Sequence, residues 1–567
     1  MTIDRKTAAR ALKEIAELLE LGGDSPHRVR AFANASRSVE RLDGDLGEML
    51  ASGELLAVRG LGRGTVAVIK DLAAGRRPVA LEEAEAGVPE GVREMLQVPG
   101  LGPKKVRTLW QDLRVVSLGE LEYACRENRL VELPGFGAAT QQRVLEGVLF
   151  RRQSGERRLL SEAWAVVSAA EAALHGADGV VATVPVGELR RCTETVALCE
   201  LLVVAGGAGA AEPALLRCLE GVQAAGRGRF SAIAGDGGEF LLRVVAEEEA
   251  AAAQLWSTGS DAHLEALAER ARAVGLRLDE EGLWRGSERL SSGDEASIYE
   301  ALGCRWVPPE LREGGDEVGR AAAGDLPERV QAGDLLGALH NHTLDSDGLA
   351  SVADMARAAG ELGWRFLGIA DHSPAASYAN GVDSGRLREQ WRRIDALNAA
   401  GGGPRLVKGL EADILGDGSL DIPAGCEDGL EYVVASVHSG FRLSEDEQTA
   451  RIVQAVSHPA CRVLGHPTGR LLLARPGYAI DLEAVLEACA EHGVAVEINA
   501  SPYRLDLEWR WARRALDLGL KLIVNPDAHS TEGLADVRWG LAVARKAGAT
   551  AADLVNCAPI EEFLNQR

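Results

Sequence analysis

Apolar positions recur at helical spacing through the first 150 residues, most clearly over Ala8–Leu21, and glycine-centred turns interrupt them regularly. That pattern predicts a helical region. Between residues 155 and 310 it gives way to strand-like runs, Val180–Val186, Leu201–Val204 and Phe240–Val245, set among alanine-rich helical stretches. Residues 311–333 are rich in Glu, Gly, Asp and Arg with little periodicity, and predict a linker. From residue 334 onward short apolar runs alternate with helical patterns: Leu335–Leu339, Phe366–Ile369, Tyr432–Ser436, Val463–Leu464 and Leu522–Val524. Such alternation predicts a (β/α) barrel over the remaining chain.

Ligand-type residues follow those runs. His340 and His342 come after the first, then Asp347; His372 follows the second, and Glu411 closes Gly409-Leu410-Glu411. His438, His466, Asp527 and His529 complete the order, so six of the eleven histidines fall in one pattern. α/β barrels assemble active sites from the ends of successive strands. Nine imidazoles and carboxylates gathered there suffice for two or three divalent ions, which activate water and clamp a phosphoryl group. A mixed set suits Mn²⁺, Zn²⁺ or Fe²⁺ better than Mg²⁺. Taken singly the residues say little: a histidine near a strand end is commonly a surface or hydrogen-bonded group, and Asp527 fits a helix cap.

Other residues are weighed against that set. His458, in Ser457-His458-Pro459, imitates Gly465-His466-Pro467, but the strand end before Gly465 favours His466. His492 ends a helical pattern, Leu482–His492, and His27, His175 and His263 have no ligand-type neighbours in sequence. Arg470 and Arg504 are phosphate-contact candidates by position, with an Arg504–Asp506 surface pair as the alternative. Asp371 reads as support for a ligand.

A chain of 567 residues exceeds the ~250–300 at which a single core stops growing, so several domains are expected. No apolar run approaches the ~18 residues a bilayer requires, and the start, Met1 to Lys6, lacks the apolar stretch of a secretory signal. Nine scattered cysteines without CxxC spacing favour reduced thiols in the cytoplasm. A net charge of -23 argues against nucleic acid as a partner, but residues 1–150 carry 21 Lys+Arg and 22 Asp+Glu, so the acidity lies downstream.

Within that balanced region three turns resemble one another: Gly60-Leu61-Gly62, Gly100-Leu101-Gly102 and Gly135-Phe136-Gly137. A turn of this kind between short helices leaves backbone N–H groups at a helix start, where a phosphate can approach. Arg63 and Lys70 follow the first turn, Lys104, Lys105 and Arg107 the second, and Arg143 alone the third. One such turn merely closes an αα-hairpin. Three, two of them with clustered basic residues, point to sequence-independent contact with a DNA backbone.

With Asn34–Ser38, Val98–Lys105, Gly187–Arg191, Thr258–Ser260, Trp306–Gly314 and the barrel motifs in order, the chain resembles a bacterial family X DNA polymerase with a C-terminal PHP (polymerase and histidinol phosphatase) domain. The resemblance covers essentially the whole chain. It implies a multidomain fold: an α-helical helix-hairpin-helix region, an α+β nucleotidyltransferase-like polymerase core and a distorted (β/α)7 PHP barrel. The implied boundaries are 1–82 (DNA-binding, first hairpin), 83–153 (fingers-like hairpins), 154–235 (palm), 236–310 (thumb-like), 311–333 (linker) and 334–567 (barrel). It further implies that His340, His342 and Asp527 hold one ion bridged by Glu411, that His438 and His466 with Glu411 hold a second, and that Asp347, His372 and His529 hold a third.

The middle of the chain departs from the family. Three aspartates that hold two Mg²⁺ ions in a polymerase fall here at Leu198, Glu200 and Leu241, and a serine of the preceding motif at Glu188. Leucine cannot ligate a hard cation, so Mg²⁺ is not expected there and polymerisation is expected to be lost. Asp261 stands where a basic residue follows Thr-Gly-Ser, and Val68 stands where a Schiff-base lysine would act as a lyase. The expectation is a monomeric DNA-repair enzyme, without membrane contact, that removes nucleotides from 3′ ends at gaps or nicks with Mn²⁺, or processes abasic sites and blocked 3′ ends. A small-molecule phosphatase, a non-catalytic DNA-bound scaffold and residual gap-filling synthesis remain the alternatives.

Overall fold

The computed structural model describes residues 5–42, 46–126, 130–131, 133, 135–154, 157–207, 209–226, 228–234, 238–290, 293–473 and 476–565. Pro134 of the third hairpin and the expected boundary at 235/236 lie outside them. The chain divides into two compact units, Met1–Glu156 and Arg157–Arg567. No helix among the described residues is long and apolar enough to cross a membrane.

The first unit is helical. One apolar core gathers Ala8, Leu12, Ile15, Phe32, Val39, Val68 and Ile69, and a second gathers Val92, Met95, Val106, Leu109, Val144 and Val148. The helices start where the sequence allows: Ser25 caps Pro26–Glu40 by accepting from the Arg28 N–H at 3.3 Å, with proline at the first turn. Gly60, Gly100 and Gly135 take φ of 96°, 86° and 82°, a left-handed backbone that side chains resist. The apolar residue between each glycine pair is buried, and the second glycine of the first two turns caps Arg63–Ala73 and Pro103–Asp112.

The second unit opens with the helix Leu160–Leu174 and a five-stranded sheet in the order Val180–Pro185, Glu200–Ala205, Glu239–Ala246, Arg229–Ile233, Glu220–Gly226. A smaller body follows, built from the helices Ala250–Thr258, Asp261–Ala273 and Glu295–Ala301 and a three-stranded antiparallel sheet. Here the linker expected over 311–333 is corrected. Arg312 is fully buried, and the helix Glu317–Ala323 sends Val318 and Ala321 into the same core. The charges that read as solvated are paired inside: Arg312 donates to Glu295 at 2.6 Å, Arg190 to Glu295 at 2.9 Å, and His263 bridges Glu317 and Tyr299 at 2.8 Å each.

That network has a pH signature. Burial alone would raise the Glu295 carboxyl, but Arg312 and then Arg190 outweigh it and hold it at about 2. A folded value below the unfolded one, about 4.3, gives stability that is present above the unfolded value and lost as pH falls through the folded one. Glu295→Gln is expected to lower stability at pH 7 by about 3–5 kcal/mol, because Arg312 stays buried and uncompensated. The variant also loses part of the wild-type decline between about pH 4 and 2; urea unfolding of both proteins across that range measures each effect.

The barrel closes the unit. Seven parallel strands pair in chain order: β1 Gly337–Ala338, β2 Phe366–Ile369, β3 Arg405–Asp413, β4 Tyr432–Ser436, β5 Cys461–Leu464, β6 Ala495–Asn499 and β7 Leu522–Asn525. Every residue of β2 and of β4–β7 is buried, as parallel strands covered on both faces require. The ends of the sheet meet through an Asn341–Ala528 bridge and through Asn525, whose Oδ1 accepts the Leu339 N–H at 2.8 Å. The sheet is therefore a nearly closed barrel, and its strands deliver their C-terminal ends to one mouth.

Candidate metal centre

All nine expected ligand residues come from β3 or from the segments that follow the other strands, and they converge. Glu411, fully buried in β3, is the meeting point. Its Oε1 lies 3.2 Å from His340 Nε2, 3.3 Å from His438 Nε2 and 3.1 Å from His466 Nε2. Its Oε2 lies 2.8 Å from His372 Nδ1 and 3.7 Å from His342 Nε2. Asp527 Oδ1 stands 3.0 Å from His342 Nε2 and 3.5 Å from His340 Nε2. Asp347 faces His529, His372 and His342 at 3.4, 3.6 and 3.9 Å.

By distance the ligand atoms form three groups, each within 4.8 Å: His340–His342–Asp527; His372–Glu411–His438; and His342–Asp347–His372–His529. This partition differs from the expected one. His342 also faces Asp347, and His372 rather than His466 completes the group around Glu411 and His438. His466 nevertheless touches Glu411 from the other side.

Local backbone explains the convergence. His466 and Asp527 sit at φ of 25° and 52°, a left-handed conformation that turns each side chain into the mouth directly after its strand. A Cβ on Gly465 would run into the Ser436 hydroxyl, so that position must be glycine for β5 to end against β4.

Supporting residues fix the ligands. His340 Nδ1 donates to Glu497 Oε2 at 2.8 Å, and His438 Nδ1 to Asp413 Oδ1 at 2.7 Å. Glu497, with no exposed surface, also accepts from the His466 N–H at 3.0 Å and from the amides of Asn499 and Asn525 at 2.9 Å. Asn499 in turn donates to Asp527 Oδ2 at 3.1 Å. Asp371 does not orient His372; it accepts from Thr343, Ser346 and Gln390 and so pins the loop leading to Asp347. The sequence reading missed Glu497, Asp413 and Asn499. Asp413, two residues beyond Glu411 and thus on its face of β3, is the one that a period of two could have found.

The donor set fits divalent ions. His340 Nε2 and His342 Nδ1 are buried and make no hydrogen bond, yet both point at carboxylate oxygens, as ligands sharing a cation do. The electrostatics agree. Burial opposes charge on Glu411, but His372, His340 and His438 outweigh it and hold its carboxyl well below the usual range. Burial also opposes charge on His438 and His529; Glu411 and Asp413 push the first up to about 10, and Asp347 and Asp527 the second to about 9. Burial itself, with His529 and His372 nearby, lowers His342 to about 3.

The remaining site expectations divide. Arg470 is corrected: its guanidinium donates to the Arg504 and Leu505 carbonyls and to Glu194, and is not available to a phosphate. Arg504 does not pair with Asp506. Its Nε lies 3.8 Å from Asp527 Oδ2, beside the mouth. His458 Nδ1 accepts the Ala460 N–H in a turn away from the ligands.

In the five-stranded sheet the register sets Glu200 opposite Leu241, and both line a cleft of about 360 Å³ with Arg229, Arg243 and Glu280. Burial raises the Glu200 carboxyl, Glu188 is tied to Arg157 at 3.0 Å, and Leu198 is exposed. Among the described residues, all three ligand groups lie in the barrel.

In the first unit Arg63, Lys70 and Lys104 are exposed around the hairpins, and Arg107 is half-buried. Lys105 donates to the Gly100 carbonyl and lies over the Phe136 ring, linking the second and third turns. Gly137 accepts from Thr140 and Gln141 at the start of Ala138–Ser154. Val68 is buried, beside a cleft of about 490 Å³ that includes Asp71 and Glu83 but no lysine.

Comparison with known proteins follows this division. Residues 4–77 match a helix-hairpin-helix domain, 92–148 a SAM-like helix-hairpin-helix tandem and 253–313 a DNA polymerase beta thumb. A probable phosphatase of Thermoanaerobacter sp. (strain X514) is 31% identical over 40% of this chain and 94% of its own. Polymerase beta of Leishmania infantum, in a ternary complex, aligns with 40% of the chain at 17% identity and a TM-score of 0.25. Hairpin units, a stretch that matches a polymerase beta thumb and a barrel region similar to a probable phosphatase stand together on one chain. The DNA polymerase/3'-5' exonuclease PolX of Bacillus subtilis (strain 168) is 32% identical over 98% of both chains, and the chain belongs to this family of family X DNA polymerases.

Glu497 offers a test of the centre without touching a ligand. Glu497→Gln keeps the shape but removes the charge behind His340, and is expected to weaken metal binding by about 10- to 100-fold. Titration of the metal-stripped protein with Mn²⁺, read by calorimetry, measures it; unchanged affinity would remove Glu497 from the account.

Proposed function

We propose that the barrel is a metal-dependent phosphodiesterase that removes nucleotides from DNA 3′ ends, that the hairpins hold the DNA backbone, and that the five-stranded core no longer polymerises. The observation that carries this reading is the convergence of five imidazoles on Glu411, with Asp527 and Asp347 completing a cluster beside the exposed cleft at Arg504. In this reading His340, His342 and Asp527 hold one ion, His438 and His466 a second, with Glu411 bridging the two, and Asp347, His372 and His529 hold a third. Mn²⁺ is the first choice for such mixed donors, Zn²⁺ or Fe²⁺ the alternatives. Bound there, the ions supply hydroxide near neutral pH and neutralise charge on phosphorus.

The protein groups have separate tasks. Glu497, Asp413 and Asn499 hold ligand side chains in one orientation, and Arg504 meets the phosphodiester at the rim. The glycine turns with Arg63, Lys104, Lys105 and Arg107 supply contacts that do not depend on sequence. The relative from Bacillus subtilis is named a polymerase and a 3'-5' exonuclease; Leu198 and Leu241 argue against the first activity here, and the barrel cluster supports the second.

The test is a 5′-labelled single-stranded oligonucleotide incubated with the full chain and Mn²⁺. A ladder shortening from the 3′ end, stopped by EDTA, is the expected result. An intact oligonucleotide together with release of phosphate from small monoesters would favour a phosphatase instead.

A further inference from the structure

Beside Asp527 and His529 a cleft of about 340 Å³ is lined by Leu471, Leu472, Tyr503 and Arg504. Tyr503 is 64% exposed, an unusual amount of aromatic surface to leave at the rim of a polar centre. Its backbone is nevertheless fixed: its carbonyl accepts the Leu472 N–H at 2.8 Å, and the Ser501 carbonyl accepts from Arg504 and Leu505 at 2.8 and 3.1 Å. With the backbone fixed, only the side-chain torsions remain to be ordered when something stacks on the ring. Arg504, in the same lining and with its Nε 3.8 Å from Asp527 Oδ2, brings a positive charge within reach of the ligand groups. The loop carrying Asp347 adds exposed Leu344 and Leu349 to the same mouth, the latter bonded through its N–H to the His529 carbonyl at 2.7 Å.

We propose that this cleft is the subsite for the terminal nucleotide of a single-stranded 3′ end, its base stacked on Tyr503 against Leu471 and Leu472 and its phosphodiester against Arg504. The inference rests on reading the barrel as a 3′ nuclease. The volume falls in the range that takes a small ligand. Stacking on one aromatic ring is tolerant of sequence, because every base has a π-face, and suits an enzyme that must accept any end. A base-sized apolar wall beside a cationic group and a phosphoryl-binding cluster matches a nucleotide in all three parts.

The experiment compares two 5′-labelled oligonucleotides, one with an ordinary 3′-terminal nucleotide and one with an abasic tetrahydrofuran residue there. Both are digested by the full wild-type chain, Tyr503→Ala and Tyr503→Phe. The wild type is expected to favour the terminal base by about tenfold in kcat/KM, chiefly through KM. Tyr503→Ala brings that ratio to about one, and Tyr503→Phe, which keeps the ring, retains it. An unchanged ratio in Tyr503→Ala, or an equal loss on both ends, would overturn the subsite. A wild type that shortens neither oligonucleotide would instead overturn the nuclease reading on which it rests.

Discussion

Glu411→Gln is expected to strip the barrel of most of its metal and to slow 3′-end removal by roughly 10³-fold or more, as loss of a bridging ligand removes several groups' action at once. Five imidazoles lie within 3.7 Å of that carboxylate, so the loss of its charge is felt across the whole cluster. Glutamine keeps the volume and one oxygen, which separates the loss of charge from a cavity in β3. Metal content after gel filtration, by atomic emission, and the initial rate on a labelled oligonucleotide are the two readings. Metal at the wild-type level, with a rate within a few-fold, would show that Glu411 is not the centre of the site.

The second large effect is an absence of synthesis. In a His340→Ala background, where trimming should not mask extension, incorporation of a single dNTP is expected to be undetectable with either Mg²⁺ or Mn²⁺. The register leaves Glu200 as the lone carboxylate of the expected three, opposite Leu241, with Leu198 at the strand's entry. One carboxylate, moreover raised by burial, does not hold two hard cations. Extension of a gapped primer by even a few nucleotides would mean that other groups hold metal there, and Glu280 and Glu188 would be the first to replace.

The sequence made the barrel legible because its strands are apolar runs, and a buried parallel strand has no reason to be anything else. Tyr432–Ser436 and Leu482–His492 begin and end where the pattern placed them. The strand Ala495–Asn499 escaped because Glu497 and Asn499 interrupt it. In sequence a carboxylate reads as solvated, whereas here it is fully buried to orient a histidine. The same error produced the linker: Arg312 pairs with Glu295 and Glu317 with His263 out of water, and only three-dimensional pairing reveals that. Arg470 misled in the opposite sense. Its place near the motif suggested a phosphate, but its partners are carbonyls and Glu194, which no spacing rule contains.

The central claim is that the barrel, not the five-stranded core, is where this protein acts on DNA. The most direct measurement is one gel: a 5′-labelled primer on a gapped template, incubated with the full chain and Mn²⁺, with and without dNTPs, beside His340→Ala. A primer shortened equally with and without dNTPs by the wild type, and left intact by His340→Ala, is the expected result. A primer lengthened by dNTPs, or shortened just as fast by His340→Ala, would contradict it.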